Sequence, residues 1–336
     1  MANVFVSTFP FCRSDKKALD HLIANGHQVE INPLGRKMKP NEVLENAKDF
    51  DALIAGTEDL TPLVAGSTRL KLISRVGVGL DSVPLDLCIK NSVSVAYTPD
   101  AVSPAVSELT IGLMVDLMRQ VSLADREIRN GQWTRPYGNR IGKAKIGILG
   151  FGRIGKRVAS HLLGFLPTEI LVCDVLNKAK EIEEIQNLLE EVYVLNSKLG
   201  KKWGKTVIRQ VNLDELVESS DILTIHVPLL ENTKNMFNYN LMQKMKPSSF
   251  LINTARGGII NEDDLFEILN SKKIAGAALD VFEEEPYFGL LKNFENVILT
   301  QHMGSCSNDC RADMETEAAE EVVRFFKGEP LASKVV

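Results

Sequence analysis

Residues 145–163 read KIGILGFGRIGKRVASHLL, and this stretch decides the fold of the larger part of the chain. An apolar run at 145–149 is followed by the glycine pattern GxGxxG at 150–155 and then by a helical pattern. This order of strand, glycine-rich turn and helix is typical of the dinucleotide-binding βαβ unit. The stretch therefore predicts a doubly wound α/β fold.

The three glycines of the turn, Gly150, Gly152 and Gly155, are predicted cofactor contacts. They would let backbone N–H groups approach a pyrophosphate at the start of the helix, where the helix dipole favours an anion. Asp174 closes the next predicted strand, about twenty residues on, and would accept hydrogen bonds from the adenosine ribose. Its charge would repel a 2′-phosphate, so NAD is favoured over NADP. The alternative is a turn that serves tight packing alone, with Asp174 as a capping residue.

Strand and helix patterns alternate along the whole chain, which indicates parallel sheets built from βαβ units. Strands are predicted first at 4–7, 52–55, 72–76 and 93–97. A second series follows at 145–149, 170–173, 222–226, 250–254, 275–281 and 297–300. The last helix, about 309–327, comes after this series, so the chain is expected to return to its first domain. The prediction is a Rossmann NAD-binding domain at 101–303, inserted in a discontinuous, flavodoxin-like substrate domain at 1–100 and 304–336.

One long helix is predicted between the two series, with Ser103 as N-cap, Pro104 in the first turn and an end near Gly131. Its apolar residues cover much of the circumference, which favours burial between two domains or two subunits. The segment 177–212 is longer than a crossover needs, and is predicted to form an amphipathic helix followed by a basic loop with Lys201, Lys202 and Lys205. An elaborated crossover is the favoured interpretation, and a docking surface or lid is the alternative.

Composition narrows the class of protein. The 336 residues are 44% hydrophobic and carry a formal net charge of −5, without the clustered basic face expected of a nucleic-acid-binding protein. The five cysteines are scattered and odd in number, which favours a reducing cytoplasm over a disulfide framework.

The N-terminus resembles a first strand rather than a signal peptide, and no membrane association is predicted. His302, Cys306 and Cys310 are four residues apart, but helix packing is favoured for the cysteines and no metal is predicted.

Three polar residues follow predicted strands in the second series: Arg256, Glu285 and His302. Ligands bind beyond the carboxyl ends of such strands, so these side chains should share one cleft. An imidazole can supply the proton that a carbonyl oxygen needs when hydride reaches the carbon, and a paired carboxylate would fix its tautomer. The guanidinium of Arg256 can hold a substrate carboxylate. Taken singly, each residue has a structural alternative: a surface cation, a helix-start acid or a core histidine.

The segments 150–155, 253–258, 279–286 and 300–305, together with 74–81, resemble the motifs of the D-isomer-specific 2-hydroxyacid dehydrogenases. The resemblance implies that Arg256, Glu285 and His302 are the catalytic residues, with His302 as acid/base. It implies that the substrate is a small 2-oxo or 2-hydroxy acid, held partly by backbone N–H groups around Val76 and Gly77, and that the chain forms homodimers around the long helix. The NAD contacts that it implies are Arg153, Ile154, Asp174, Val227, Thr254, Ala255 and Asp280.

Within that family the chain is most similar to phosphoglycerate dehydrogenases, but it departs from them in two ways. They commonly place an arginine for the substrate phosphate where this chain has Ala55-Gly56-Thr57-Glu58. Arg75 is a candidate anion contact, whereas Glu58 would oppose a phosphate. The chain is also expected to lack an appended regulatory domain. A glyoxylate or hydroxypyruvate reductase and an NAD-sensing, corepressor-like binding protein are therefore alternatives to a phosphoglycerate enzyme.

Overall fold

The computed structural model describes residues 1–200 and 204–336. They form two compact units: unit 1 comprises Met1–Ser103 and Ser305–Val336, and unit 2 comprises Pro104–Gly304. Unit 1 is thus discontinuous in sequence, and its last helix follows unit 2. Every helix among the described residues is too short or too polar to cross a lipid bilayer.

Unit 1 is a parallel sheet with helices. Its strands are β1 (Asn3–Val6), β2 (Gln28–Ile31), β3 (Ala52–Ala55), β4 (Leu72–Arg75) and β5 (Ser94–Tyr97). Its helices are α1 (Lys17–Ala24), α2 (Pro40–Ala47), α3 (Thr61–Gly66), α4 (Leu85–Lys90) and, after unit 2, α12 (Asn308–Lys327). The strand order is β2-β1-β3-β4-β5, with every pairing parallel. Phe5, Leu53, Ile73 and Val95 are buried in one core cluster. This burial explains the apolar runs that predicted four of the strands.

The fifth strand, β2, was not among the predicted strands. It lies at the edge of the sheet, and its residues Gln28–Ile31 are exposed or half-buried. An edge strand that buries so little needs no apolar run, so the sequence carries no clear signal for it.

Helix α12 and the C-terminal residues are part of unit 1. The Ser74 hydroxyl in β4 donates to the carbonyl oxygen of Ala318 in α12 at 2.8 Å. The N–H of Val335 donates to the carbonyl of Val95 at 2.7 Å, beside an antiparallel bridge between Ala96 and Lys334. The segment after unit 2 therefore completes the core of unit 1.

Unit 2 contains a larger parallel sheet. Its strands are β6 (Lys145–Leu149), β7 (Glu169–Cys173), β8 (Val207–Gln210), β9 (Ile222–Ile225), β10 (Phe250–Asn253), β11 (Gly276–Leu279) and β12 (Val297–Leu299). Its helices are α5 (Val102–Arg119, which begins at the end of unit 1), α6 (Val121–Arg129), α7 (Arg153–Leu162), α8 (Ala179–Lys198), α9 (Leu213–Ser219), α10 (Tyr239–Met242) and α11 (Glu262–Asn270). The strand order is β12-β11-β10-β9-β6-β7-β8.

Both faces of this sheet are buried, because alternate residues of one strand enter different core clusters. Ile148 and Val172 belong to one cluster, and Leu149 and Leu171 belong to the other. The chain order runs outward from β6 in both directions, so the strand order reverses between β6 and β9. Such a switch point opens a crevice at the carboxyl ends of the strands, where ligands bind.

The predicted number of strands in unit 2 was wrong. Six strands were predicted, but the segment expected to be a helix and a basic loop also contains β8, an edge strand in which Ile208 is the buried residue. The helix predicted there is α8, whose Ile185 and Leu189 are buried. Lys201 and Lys202 of the expected loop lie outside the described residues.

The long helix is broken in two. Gln120 adopts the left-handed conformation, with φ 55° and ψ 43°, and separates α5 from α6. The carboxylate of Asp116 accepts hydrogen bonds from the N–H of Ser122, at 2.8 Å, and from its hydroxyl. Local side-chain bonds of this kind compete with a continuous helix. Every residue of α6 is at least partly exposed, so this half of the predicted helix is not buried within the chain.

Candidate active site

The glycine-rich loop after β6 gives each glycine a different environment. Gly150 has a φ of +87°, and a Cβ there would lie 2.6 Å from the carbonyl oxygen of His226. A Cβ on Gly155 would overlap the carbonyl oxygen of Gly150. At Gly152, by contrast, no described atom would lie within 4 Å of a Cβ. The first and third glycines are required by the packing of the chain, while the space above the second fits a closely approaching phosphate.

Asp174, directly after β7, is joined to this loop. Its carboxylate accepts hydrogen bonds from the N–H of Phe151 at 2.7 Å and of Leu176 at 2.8 Å. Arg153 and Ile154 open α7, whose N-terminus follows Gly152. Val227, after β9, is near Gly150, with its Cγ1 2.9 Å from where a Cβ would stand. These predicted cofactor contacts are thus gathered at the carboxyl ends of β6, β7 and β9.

His226 lies at the same edge and was not among the predicted site residues. Its Nε2 is 3.0 Å from the hydroxyl of Thr224, and its buried Nδ1 has no hydrogen-bond partner among the described residues. Desolvation of the ring lowers the pKa of His226 from 6.5 to about 3, so the imidazole is neutral at physiological pH.

Arg256 lies in a loop that follows β10 and is held by Asn253. The Asn253 amide donates to the Arg256 carbonyl at 2.8 Å, and its Oδ1 accepts from the N–H of Ala255 at 3.0 Å. Nη1 of Arg256 donates to the Ala255 carbonyl at 2.7 Å. A Cβ on Gly257 would overlap the Phe282 carbonyl, so this glycine allows the loop to contact the chain that leads to Glu285.

Glu285 and His302 are in direct contact. Nδ1 of His302 is 2.8 Å from Oε2 and 3.0 Å from Oε1 of Glu285. Oε1 also accepts from the N–H of Phe282 at 3.2 Å, which orients the carboxylate. The loop is supported from outside by Glu262, whose carboxylate accepts from the N–H of Glu283 at 2.7 Å. Burial raises the pKa of Glu262.

The backbone of His302 is left-handed, with a φ of 51°, and Asp280 holds it there. The Asp280 carbonyl accepts from the His302 N–H at 2.7 Å. Its fully buried carboxylate accepts from the Thr300 hydroxyl at 2.6 Å and from the N–H groups of Met303 and Gly304, each at 2.8 Å. Asp280 was predicted as a cofactor contact. In the structure its carboxylate secures the loop that carries His302.

Thr254, another predicted cofactor contact, makes a bond that the sequence did not suggest. Its hydroxyl is 3.0 Å from the hydroxyl of Thr110 in α5, and both residues are buried. The signal available in the sequence was a polar residue at position 110, directly between the apolar Leu109 and Ile111. The pair connects α5 to the loop that carries Ala255 and Arg256.

The other predicted substrate contacts belong to unit 1. Arg75 ends β4 and is buried, and its Nη1 donates to the carbonyl of Val76. The N–H of Val76 donates to the Ala55 carbonyl at 2.8 Å, and that of Gly77 donates to the Thr98 hydroxyl at 2.7 Å. A substrate carboxylate at this loop would compete with these two bonds or use the next N–H groups, those of Val78 and Gly79.

No group of three or more histidine, cysteine, aspartate or glutamate residues could hold a metal ion in the described parts of the chain. Cys310 is buried within α12, and Cys306 is exposed.

Comparisons with known proteins point to one family. The family model for the NAD-binding domain of D-isomer specific 2-hydroxyacid dehydrogenases matches residues 111–196 and 189–304. A glyoxylate reductase of Thermofilum pendens is 34% identical over 302 residues, which cover 86% of this chain and 82% of that protein. A D-3-phosphoglycerate dehydrogenase of Methanocaldococcus jannaschii is 32% identical over 88% of this chain, but the chain spans 53% of that protein's length.

The fold is found in solved structures. A D-lactate dehydrogenase of Aquifex aeolicus, crystallised with NAD and lactic acid, has a TM-score of 0.79 and 25% identity, over 97% of this chain and 96% of that one. The predicted fold class, the family resemblance and the NAD cofactor are confirmed. The chain belongs to the D-isomer specific 2-hydroxyacid dehydrogenase family of NAD-dependent oxidoreductases, and unit 2 contains its NAD-binding domain.

Proposed function

We propose that Arg256, Glu285 and His302 catalyse hydride transfer between nicotinamide and a small D-2-hydroxy acid or 2-oxo acid. The contact between His302 Nδ1 and the Glu285 carboxylate, at 2.8 Å, is the observation that carries this proposal. NAD supplies or accepts the hydride when it is bound. The remaining steps belong to side chains of the protein.

His302 is the acid in the reducing direction and the base in the oxidising direction. Because Nδ1 is paired with Glu285, Nε2 is the ring nitrogen that exchanges a proton with the substrate oxygen. In reduction the carbonyl carbon receives the hydride and the carbonyl oxygen receives the proton from Nε2. Glu285 stabilises the imidazolium before that transfer and fixes the tautomer after it.

Arg256 is proposed to bind the carboxylate of the acid and to polarise its carbonyl. A guanidinium has five N–H donors in a planar fork, and one of them, on Nη1, is used by the Ala255 carbonyl. Donors from the same group can engage a carboxylate in a bidentate manner. Backbone N–H groups around Val76 and Gly77, and the buried Arg75, are the proposed contacts of unit 1 with the substrate.

The proposed cofactor contacts are the residues around the open space above Gly152. The N–H groups at Gly152, Arg153 and Ile154 would bind the pyrophosphate, and the Asp174 carboxylate would bind the ribose. Gly150 and Gly155 shape this loop. The remaining proposed contacts, toward the nicotinamide end, are Val227, Thr254, Ala255 and Asp280.

A homodimer is proposed from exposed apolar side chains in and after α6. Val121 is 54% exposed, Ile128 58%, Trp133 77% and Tyr137 98%. Large exposed apolar side chains favour association, and tryptophan and tyrosine are enriched in interfaces. Light scattering after size exclusion tests this: the wild type should have twice the mass of the chain, and Trp133→Ala should shift it toward the monomer. A cytoplasmic location is proposed from the scattered cysteines.

The reaction is tested by NADH oxidation with a panel of 2-oxo acids: glyoxylate, pyruvate, hydroxypyruvate and 3-phosphohydroxypyruvate. Turnover of at least one of them, giving the D-isomer where the product is chiral, is the expected result. Tight binding of NADH with no turnover on any of these acids would contradict the proposed reaction and favour a cofactor-sensing role.

A further inference from the structure

Unit 1 has a buried carboxylate at the carboxyl edge of its sheet. Glu58 follows β3, and its side chain is enclosed, with 2% of the residue exposed. Its Oε1 accepts a hydrogen bond from the N–H of Gly56 at 2.8 Å and another from the hydroxyl of Ser7, a buried residue directly after β1. The loops after two neighbouring strands are therefore closed around one acidic group.

Gly56 shows how tightly these loops are packed. A Cβ at this position would lie 2.8 Å from Oε2 of Glu58 and 2.9 Å from Oγ1 of Thr8. The glycine thus lets the Glu58 side chain lie over the backbone. Because a carboxylate held by two donors cannot turn away without breaking both bonds, its charge is fixed at this point of the sheet edge.

Two arginines of the same unit donate hydrogen bonds to acceptors of the protein. Nη1 of Arg75 donates to the Val76 carbonyl. Nε of Arg311 is 2.7 Å from the buried carboxylate of Glu315, and its Nη2 donates to the Thr8 hydroxyl at 2.9 Å and to the Pro10 carbonyl. Arg311 is thus held by acceptors of the protein, and Arg75 is assigned in the proposed function to the substrate itself. A second anion at this edge would therefore meet the carboxylate of Glu58.

The position of Glu58 relative to the proposed substrate contacts follows from the strand order. β1, β3 and β4 are neighbours, and Ser7, Glu58 and Val76 follow their carboxyl ends. Neighbouring strands are about 4.8 Å apart, which is comparable to the length of a three-carbon acid. If the substrate carboxylate lies at the loop after β4, as in the proposed function, the third carbon of the acid can reach the loop after β3.

We propose that Glu58 determines substrate specificity by excluding 2-oxo acids that carry an anionic group on the third carbon. The preferred substrates are short, unphosphorylated acids of the glyoxylate or hydroxypyruvate class, and phosphorylated acids are poor substrates. The proposal rests on the proposed function. Its physical basis is repulsion: two like charges one to two strand spacings apart, about 5–10 Å, near a protein surface weaken binding by about tenfold or more.

The experiment compares kcat/KM for hydroxypyruvate with that for 3-phosphohydroxypyruvate, in the wild type and in Glu58→Gln. Glutamine retains an oxygen for the Gly56 N–H and the Ser7 hydroxyl but removes the charge. The wild type should prefer the unphosphorylated acid. In Glu58→Gln the ratio should shift toward the phosphorylated acid by about tenfold or more, mainly through its KM.

The control is Glu30→Gln, which removes the same charge from an exposed position in β2 of the same unit and should leave the ratio unchanged. A wild type that prefers the phosphorylated acid would overturn the proposal without any variant, even if Glu58→Gln did not fold. An unchanged ratio in a folded Glu58→Gln, checked by circular dichroism, would also overturn it. If the wild type reduced neither acid nor the others of the panel, the proposed function itself would fail.

Discussion

Nδ1 of His302 lies 2.8 Å from Oε2 of Glu285, although the two residues follow different strands of the seven-stranded sheet. Two arrangements of the chain make this contact possible. The N–H of Phe282 orients the carboxylate, and Asp280 holds the backbone of His302 in a left-handed conformation. Such a conformation is unfavourable for a residue other than glycine, and it persists because the surrounding hydrogen bonds determine it.

Removing the imidazole of His302 should slow the reaction without weakening the binding of NADH. His302→Ala is expected to lower kcat by about 10²–10⁴-fold, the usual contribution of a positioned acid or base, with the NADH dissociation constant nearly unchanged. Glu285→Gln should lose less, because an amide oxygen can still accept from Nδ1–H but cannot stabilise an imidazolium as well. Steady-state kinetics and NADH fluorescence titration measure the two quantities. A His302→Ala variant that retained most of its activity would rule out the acid/base role.

Asp174 is expected to set the preference for NAD. Asp174→Asn keeps an oxygen for the Phe151 N–H, which the wild-type carboxylate accepts at 2.7 Å, and removes the charge that repels a 2′-phosphate. In this variant the preference for NADH over NADPH, measured as the ratio of their kcat/KM values, should fall by about tenfold. Asp174→Ala should also weaken both cofactors, since the glycine-rich loop loses its support. An unchanged cofactor ratio in both variants would show that Asp174 does not contact the ribose.

The candidate site could be predicted in part, because polar residues stand directly after predicted strands. Arg256 and His302 each follow a strand whose core residues are apolar, so strand prediction and chemical type together located them. The edge strands β2 and β8 were not predictable in this way. Ile208 of β8 and the largely exposed residues of β2 lack the apolar run that a buried parallel strand requires.

Hydrogen bonds between distant residues were the other part that could not be predicted. The sequence suggested a cofactor role for Asp280, but its carboxylate bonds to Thr300, Met303 and Gly304 depend on how the β12 loop folds back. The break at Gln120 likewise depends on two hydrogen bonds that the Asp116 carboxylate accepts from Ser122, within a helical pattern that runs through both helices. Periodicity reports which face is buried, and it does not report such local competition.

His226 should make the protein less stable in mild acid. Its pKa is lowered from 6.5 to about 3 in the folded chain. As the pH falls through 6.5 the unfolded chain binds a proton at this residue and the folded chain does not, so stability falls between pH 7 and pH 5. His226→Gln does not titrate and should lose about 1–2 kcal/mol less over that interval. Urea unfolding at both pH values measures this, with His21→Gln in unit 1 as the control. Equal losses in wild type and His226→Gln would contradict the assignment.

Adding a single methyl group at different glycines of the glycine-rich loop can test cofactor binding and chain packing separately. Gly152 has a φ of −84°, and a Cβ there would meet no described atom within 4 Å, so Gly152→Ala should fold with nearly unchanged thermal stability. Its methyl group would occupy the space where the pyrophosphate is expected, and NADH should bind at least about tenfold more weakly. Gly155→Ala places the same methyl group against the Gly150 carbonyl and should cost about 1–3 kcal/mol of stability, because helix α7 must move away from β6. Thermal unfolding and NADH titration of both variants give four values. If Gly152→Ala bound NADH as the wild type does, the pyrophosphate would have to lie elsewhere, because the methyl group has no other neighbour among the described residues through which it could act.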